Sequence, residues 1–410
     1  MDNRSVIIVL VPVLLLLPLG TAIFFLSSES NSDSPISNNE SGTVYWKTST
    51  PEEQGMSSEK LGEVRNYIEN WDLDFHSVLV VCNGYIVLEE YFDYYRQDTL
   101  REIYSCTKSV TSALVGIAIH EGYISSVDER VLDYFPEKNF TNLDARKQNM
   151  TLEHLLTMTT GLDWPEWSVP YGPGNIFAEW VNSPDWVQFV LDRPMVLAPG
   201  TQFNYNSGAS HILSAILQNA TGETTFSYAN RHLFAPLGIS PVIWRADPQG
   251  INAGGMYLQM RPRDMAKIGY LYLNNGSWEG KQIIPADWVE ISTRKHYDMG
   301  NSAVIDYGYQ WWIYYYPDLN DSSKHPPIDA YAAVGYSGQR IFVIPDQRMV
   351  VVFTADIVST PLKLGINTSI YVYLITAFII EAVESSSQLN LWSGNVAYVL
   401  KDEFFSISQA

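Results

Sequence analysis

The sequence predicts an α+β fold: an antiparallel β-sheet built from both chain ends, flanked by helices, with a helical region inserted between its two halves. Three observations carry that prediction. β-Branched and aromatic runs occur early, at Ser77 to Cys82 and Tyr85 to Phe92, and return late, at Tyr309 to Tyr316, Arg340 to Ile344 and Met349 to Thr354. Between about residues 125 and 300, short helical stretches alternate with Gly, Pro and Asn turns. A chain of 410 residues that is 46% hydrophobic and 13% aromatic can bury a large core and is too apolar for disorder over most of its length.

In chain order, Val6 to Leu26 runs for 21 residues without a charge, long enough to cross a bilayer, so residues 1 to 26 read as a membrane anchor or signal segment. No small-x-small cleavage site precedes Ser27, which favours an anchor. With Arg4 on the inner side, the remainder is expected at the cell surface or in the periplasmic or extracellular space. Residues 27 to 48, rich in Ser, Asn, Asp and Glu, form a tether. Asn-x-Ser/Thr triplets at Asn39, Asn139, Asn149, Asn219, Asn275, Asn320 and Asn367 fit export. Residues 49 to 385 are expected to form the main domain, and 386 to 410 an extension with no assigned role.

Inside that domain, Glu59 to Asn70 reads as a helix, and Asn83-Gly84 between two β-rich runs is a strong hairpin signal. Ser105 to His120 is apolar nearly all round, hence a buried helix. Helices follow at Leu152 to Met158, Trp186 to Leu191 and Ala209 to Gln218. Pro345 to Arg348 turns the chain between two late strands, and Ile370 to Ile380 is too short to span a membrane and reads as a covering helix.

Charge excludes some partners. A net charge of −20, from 25 Lys plus Arg against 45 Asp plus Glu, disfavours nucleic acid and anionic membrane surfaces. The two cysteines, Cys82 and Cys106, are expected as buried thiols, although one disulfide in an oxidising compartment remains open.

The stretch Tyr104-Ser105-Cys106-Thr107-Lys108 sets a serine and a lysine one turn apart on one helix face. A serine in the first turn has a backbone N–H outside the intrahelical ladder, with the positive end of the macrodipole behind it. Burial lowers a lysine's pKa toward that of a general base. Ser-x-x-Lys also occurs at Ser57 to Lys60, which reads as a helix cap, and at Ser292 to Lys295, a charged helix end. Only Lys108 would ride on a helix apolar enough to bury it. Cys106 points about 100° away from Ser105 around the helix and cannot replace it as Lys108's partner. Downstream, Phe203-Asn204-Tyr205-Asn206-Ser207-Gly208 offers a phenol on a turn before a helix, expected to have its pKa lowered by the buried ammonium and to relay a proton. Gly335 and Gly338 flank Tyr336-Ser337 just before a strand; the Tyr336 N–H there could face the Ser105 N–H across a developing oxyanion.

Taken together, Ser-x-x-Lys, the tyrosine motif about a hundred residues on and the Gly-rich turn before the last hairpin resemble the serine β-lactamase and penicillin-binding-protein superfamily, closest to its class C, esterase and aminohexanoate-oligomer hydrolase branch. Thr50 to Met56, Thr151 to Leu162 and Pro236 to Ile239 support the likeness, which spans roughly residues 50 to 385. The resemblance implies Ser105 as nucleophile, Lys108 as its base, Tyr205 as acid/base partner, and the N–H groups of Ser105 and Tyr336 as an oxyanion hole. It implies an acyl-serine intermediate and no metal or other cofactor.

Two departures bear on substrate. Ser207 stands where the family commonly has Asn. Ala333-Val334-Gly335 replaces a cationic motif that would grip a carboxylate, although Lys324 and His325 lie near enough in sequence to substitute. Neutral small-molecule esters or amides are therefore expected as substrates ahead of β-lactams or D-Ala stems. Ser207, Gly335, Trp164 and Tyr171, with Trp167, are candidates for the substrate pocket. Rival readings are a D-Ala-type carboxypeptidase or β-lactamase, a catalytically silent surface binding protein, and a Ser-His-Asp hydrolase. The last lacks a Gly-x-Ser-x-Gly elbow and a histidine in a triad setting.

Overall fold

Asn83 and Gly84 take positive φ values of 51° and 87°, the backbone that a two-residue hairpin turn requires and that asparagine and glycine tolerate best. They join β1 (Phe75–Cys82) to β2 (Tyr85–Tyr91) where the sequence places a hairpin. A computed structural model provides the fold, and the described residues are 46–299, 305–316, 328–357 and 369–383. The expected anchor at residues 6 to 26, most of the tether, Lys324, His325 and residues 386 to 410 lie outside them.

Helix α1 (Ser58–Asn70) precedes the hairpin; β3 (Arg101–Glu102) and α2 (Cys106–His120) follow it. The middle of the chain supplies α3 (Ala145–Gln148), α4 (Leu152–Leu156), α5 (Ile176–Val181), α6 (Trp186–Leu191), α7 (Ser207–Thr221) and α8 (Thr225–Ala229). Then come β4 (Ile243–Trp244), β5 (Leu258–Met260), α9 (Pro262–Leu273), β6 (Ser277–Trp278), β7 (Lys281–Gln282) and α10 (Ala286–Ser292). The chain returns to strand in β8 (Ile305–Tyr307), β9 (Trp312–Tyr316), β10 (Ile328–Val334), β11 (Arg340–Ile344) and β12 (Met349–Ala355). Helix α11 (Ser369–Leu374) continues as a wider turn over Ile375–Ile380.

The main sheet runs β2-β1-β12-β11-β10-β9-β8, with antiparallel pairing throughout. Its joint is β1 against β12, with Val78 opposite Phe353 and Val80 opposite Val351, so the two chain ends meet as the strand pattern predicts. Side chains alternate across it. Val78, Val80, Val351 and Phe353 face α1 and the C-terminal helix, while Leu79, Val81, Val350 and Val352 face α2 and α9. Each fully buried aliphatic side chain in these layers contributes about 1.5–3 kcal/mol.

Some elements differ from the sequence reading. Gly308 and a left-handed Gln310 (φ 64°) break the run expected at Tyr309 to Tyr316, leaving β8 and a β9 that begins at Trp312. Helix α7 starts two residues earlier than expected because the Asn206 side chain caps it, accepting from the Ala209 N–H at 2.9 Å. Helix α9, β10 and the small sheet β3-β5-β4 were not foreseen. Signals for α9 exist: Pro262 in its first turn, and Met265, Ala266, Ile268, Leu271 and Tyr272 buried at helical spacing. A Cβ at Gly269 would fall 2.6 Å from Val350 and 2.7 Å from Ile341, so this position lets α9 lie directly on the sheet.

Candidate active site

The chain leaves β3, passes Ile103 and turns at Tyr104, whose φ of 46° puts a non-glycine residue in the left-handed region immediately before Ser105. Such a conformation costs on the order of 1–3 kcal/mol and persists where its surroundings enforce it. Ser105 is the N-cap of α2, and its carbonyl accepts the Lys108 N–H at 3.0 Å. One turn on, Lys108 Nζ donates to Ser105 Oγ at 3.0 Å, Ser207 Oγ at 3.1 Å and the Gly255 carbonyl at 3.0 Å. Lys108 is buried, and burial pushes its pKa down to about 8, with the negative charge of Glu166 working in the opposite direction. The helix's apolar character, which suggested burial from sequence, is what brings the amine toward neutrality.

Tyr205 sits on the turn before α7, close enough to Ser105 for the serine hydroxyl to act on its phenol. Lys108 Nζ lies 4.9 Å from the centre of its ring. Its pKa is raised, first by burial and then by Glu166, against a smaller opposing effect from Ser105. This corrects the expectation of a lowered pKa: desolvation of the phenolate outweighs the nearby ammonium. Tyr205 is therefore held as a phenol, suited to give and regain a proton.

Ser207 opens α7. Its hydroxyl accepts from Lys108 and donates to Glu166 Oε1 at 2.7 Å. Glu166 was not singled out from sequence. It is buried and also accepts from Trp164 Nε1 at 2.7 Å and the Ser207 N–H at 2.8 Å on Oε2, and from the Tyr171 hydroxyl at 2.9 Å on Oε1. The one hint in the sequence is an acid between two tryptophans, Trp164-Pro165-Glu166-Trp167.

A cleft of about 270 Å³ opens beside the serine, lined by Ser105, Glu166 and Ser207, by the aromatic residues Tyr104, Tyr171, Phe177, Tyr257 and Tyr336, and by Glu102, Gly255 and Met256. The structure thus brings Ser105, Ser207, Tyr171 and Tyr336 together around one space, with Lys108 bonded to Ser105 and the Tyr205 ring beside the Lys108 amine. Three candidates fall elsewhere. Trp164 is core: it packs edge-on against Trp180 and Phe189, and its indole N–H holds Glu166. Gly335 does not line the cleft; its missing side chain makes room for the nucleophile's own turn, since a Cβ there would lie 2.4 Å from the Ile103 carbonyl and 3.3 Å from Cys106 Sγ. Trp167 is exposed and stacks on Tyr205 at 4.5 Å, beside a second hollow that also includes Phe203, Asn204 and Tyr297.

The alternatives resolve by burial. Cys82 and Cys106 are free and buried, and burial pushes the Cys106 thiol up to about 12, away from nucleophilic character. Ser57 caps α1, accepting from the Lys60 N–H at 3.3 Å. At the other repeat, Ser292 bonds back to Val289 and Lys295 pairs with Asp298 and Asp306 on the surface. His211 and Asp247 form a pair at 3.1 Å, both fully buried and outside the residues that line the cleft, so no triad forms there. Among the described residues, no three His, Cys, Asp or Glu side chains gather as a metal site.

Comparison with known proteins agrees with this geometry. The Beta-lactamase family profile matches residues 76–366. The chain is 29% identical to esterase EstB of Burkholderia gladioli over 154 residues, covering 35% of this chain and 38% of that one. It is 23% identical to the 6-aminohexanoate-dimer hydrolase of Paenarthrobacter ureafaciens over 248 residues, covering 57% of this chain and 63% of the relative. In three dimensions it is similar to a solved Bacillus anthracis protein named for 6-aminohexanoate-dimer hydrolase, with a TM-score of 0.67 and 22% identity over 84% of this chain and 89% of that one; at that identity the likeness shows the fold.

Proposed function

The chain belongs to the beta-lactamase family, and from that premise we propose that it is a serine hydrolase of esters or amides that lack a carboxylate beside the scissile bond, working through an acyl-serine and held outside the cell by its N-terminal segment. The observation that carries the reading is the 3.0 Å bond between Lys108 Nζ and Ser105 Oγ, made by an amine whose burial brings its pKa to about 8. In this scheme neutral Lys108 takes the Ser105 proton as Oγ attacks the carbonyl carbon. The N–H groups of Ser105 and Tyr336 receive the charge that develops on the carbonyl oxygen; one such donor is worth about 10²–10³ in rate. Tyr205, kept protonated, passes a proton to the departing alkoxide or amine, and water repeats the sequence on the acyl-enzyme.

Substrate class follows from the lining. Among the described residues around the cleft, the ionisable side chains are the carboxylates Glu102 and Glu166 and several phenols, with no Arg, Lys or His. The nearby guanidiniums are engaged elsewhere: Arg340 bonds to the carbonyls of Gly335 and Gln339 and lies over the Tyr371 ring, Arg101 lies over the Tyr95 ring and Arg245 over the Tyr257 ring. With no cation among the lining residues to grip a carboxylate, β-lactams and D-Ala stems are disfavoured, while Tyr104, Tyr171, Phe177, Tyr257 and Tyr336 favour an apolar acyl chain. The uncharged run at residues 6 to 26 and the acceptor triplets support export and tethering. Labelling with a fluorophosphonate and turnover of short nitrophenyl esters test the reading. Wild type should react and Ser105→Ala should not; an unlabelled wild type favours a silent binding protein, and a mutant that still labels favours another nucleophile.

A further inference from the structure

Glu166 is a buried acid with four hydrogen bonds, and the scheme above gives it no part. One of those bonds, together with the bond from Lys108 to Ser207, forms a directional path. Ser207 has one hydroxyl proton, and at 2.7 Å it points to Glu166 Oε1. The bond between Ser207 and Lys108 at 3.1 Å is therefore donated by the amine. Lys108 Nζ, Ser207 Oγ and Glu166 Oε1 thus make an unbroken donor-to-acceptor chain that ends on a carboxylate. A hydroxyl can accept and release a proton at the same oxygen. The carboxamide usual at this place in the family accepts and donates through different atoms and cannot pass a proton on in this way.

We propose that Glu166 is the proton acceptor that readies Lys108, acting through Ser207. The inference rests on the acyl-serine reading above. In the step, Lys108 Nζ–H gives its proton to Ser207 Oγ as Ser207 gives its own to Glu166 Oε1. An ammonium and a carboxylate become an amine and a carboxylic acid, with no net change in charge or proton count. The freed lone pair on Nζ takes the Ser105 proton while Oγ bonds to the carbonyl carbon and the carbonyl π pair moves onto oxygen. When the tetrahedral species collapses, the proton taken from Ser105 leaves with the departing group by way of Tyr205. Glu166 then returns its proton along Ser207, restoring the ammonium and the carboxylate.

The surroundings favour such an exchange. Both ends are buried, where two separated charges lose most of their hydration and a neutral pair comes close in energy to the ionic one. Trp164 Nε1 and the Ser207 N–H both bind Oε2, so Oε1 can take the proton while those bonds stay in place. The groups facing Lys108 are Ser105, Ser207, the Tyr205 ring, Cys106 and Glu166. Cys106 is held as a neutral thiol, and Arg340 acts on Cys106 and Tyr205. Tyr171 donates to Glu166. Of these groups, Glu166 is the one joined to Lys108 by a hydrogen-bonded path that can carry a proton off the amine.

The pH dependence of fluorophosphonate labelling at Ser105 reads the step directly. In wild type, the internal transfer supplies a neutral amine below Lys108's own titration. In Ser207→Ala the path is cut, and Lys108 must release its proton to solvent near pH 8. Labelling of that variant should fall about 10-fold at pH 7, where about a tenth of an amine titrating near pH 8 is neutral, and return to within about twofold of wild type by pH 9.5. An equal loss at every pH overturns the proposal. Should Ser207→Ala fail to fold, the wild-type rate in graded H₂O and D₂O mixtures decides: a curved dependence means more than one proton in flight, and a straight line overturns the proposal. A wild type that never labels defeats the acyl-serine reading itself, whereas labelling with an unmoved pH profile defeats only the role of Glu166.

Discussion

Lys108 and Lys147 are both buried lysines with three hydrogen bonds, yet only one of them is built to lose a proton. Lys147, in α3, donates to the carbonyls of Thr141 at 3.1 Å, Leu191 at 2.7 Å and Arg193 at 2.8 Å. Burial lowers its pKa, with Asp192 and Asp144 working in the opposite direction. Its acceptors can only accept, so deprotonation would turn one carbonyl toward a lone pair inside the protein. Two of Lys108's three partners are hydroxyls, which can reverse and donate to a neutral amine. Burial alone therefore does not make a base; the chemistry of the surrounding oxygens decides whether the neutral form can be accommodated. One lysine ties a loop together, and the other sits where a proton can be passed on.

Replacing each by methionine should separate the two roles most widely. Lys108→Met is expected to lower ester turnover by at least about 1000-fold, with a stability loss near 1 kcal/mol, because Ser105 and Ser207 can re-aim and one carbonyl is left unmet. Lys147→Met takes the donor from three carbonyls, that of Leu191 buried and those of Thr141 and Arg193 partly so, and should cost about 2–3 kcal/mol in urea unfolding, with turnover per folded molecule unchanged. If Lys147→Met silenced the folded enzyme, or Lys108→Met left it active, the contrast would collapse.

A smaller effect separates Lys108 from the rest of the protein by pH. Its folded pKa of about 8 lies below the value of roughly 10.4 in an unfolded chain. Between those values the unfolded state holds a proton that the folded state has released, so folding stability contributed by this group rises with pH. The destabilising contribution is full below pH 8 and fades toward pH 10. Buried tyrosines such as Tyr205 and Tyr272, whose pKa values are raised, act in the opposite sense above pH 10. The difference between wild type and Lys108→Met cancels most of that background. Relative to the variant, wild type should gain about 2 kcal/mol between pH 7.5 and 10; a flat difference would mean that Lys108 is not held near neutrality.

Ser105, Lys108 and Tyr205 could be read from the sequence because each sits in a short motif beside a helix start, and because α2 is apolar enough to declare its own burial. The hairpin at Asn83-Gly84 was legible for the same local reason. Glu166 was not, since its meaning depends on the segment between Gly161 and Asn175 folding back onto α7. Once Glu166 is in place, Ser207 changes from a shortened asparagine into a link between a base and an acid. The aromatic residues of that segment show the same limit. Trp164 and Trp167 are three residues apart in an irregular stretch, and no periodicity tells which ring enters the core and which faces outward. Lys147 gave no signal at all, because its acceptors are backbone carbonyls from segments distant in sequence.

The finest test moves the Lys108 amine without removing it. A Cβ at Gly255 would lie 3.0 Å from Lys108 Nζ, 3.2 Å from the Ser207 carbonyl and 3.3 Å from Ser210 Cβ. The backbone and Ser210 contacts are tight but tolerable, and the amine is the far end of a flexible chain, so Nζ should yield by a few tenths of an ångström. That shift disturbs its bonds to Ser105 and Ser207, which are 3.0 and 3.1 Å long. Gly255→Ala should thus lower turnover about 10-fold, in line with small misplacements of a catalytic group, while costing less than about 1 kcal/mol in stability. Lys147 offers no counterpart, since its amine is held by three carbonyls and carries no reaction. If Gly255→Ala destabilised the fold by as much as Lys147→Met while leaving turnover intact, Lys108 would have to be regarded as a second structural tie.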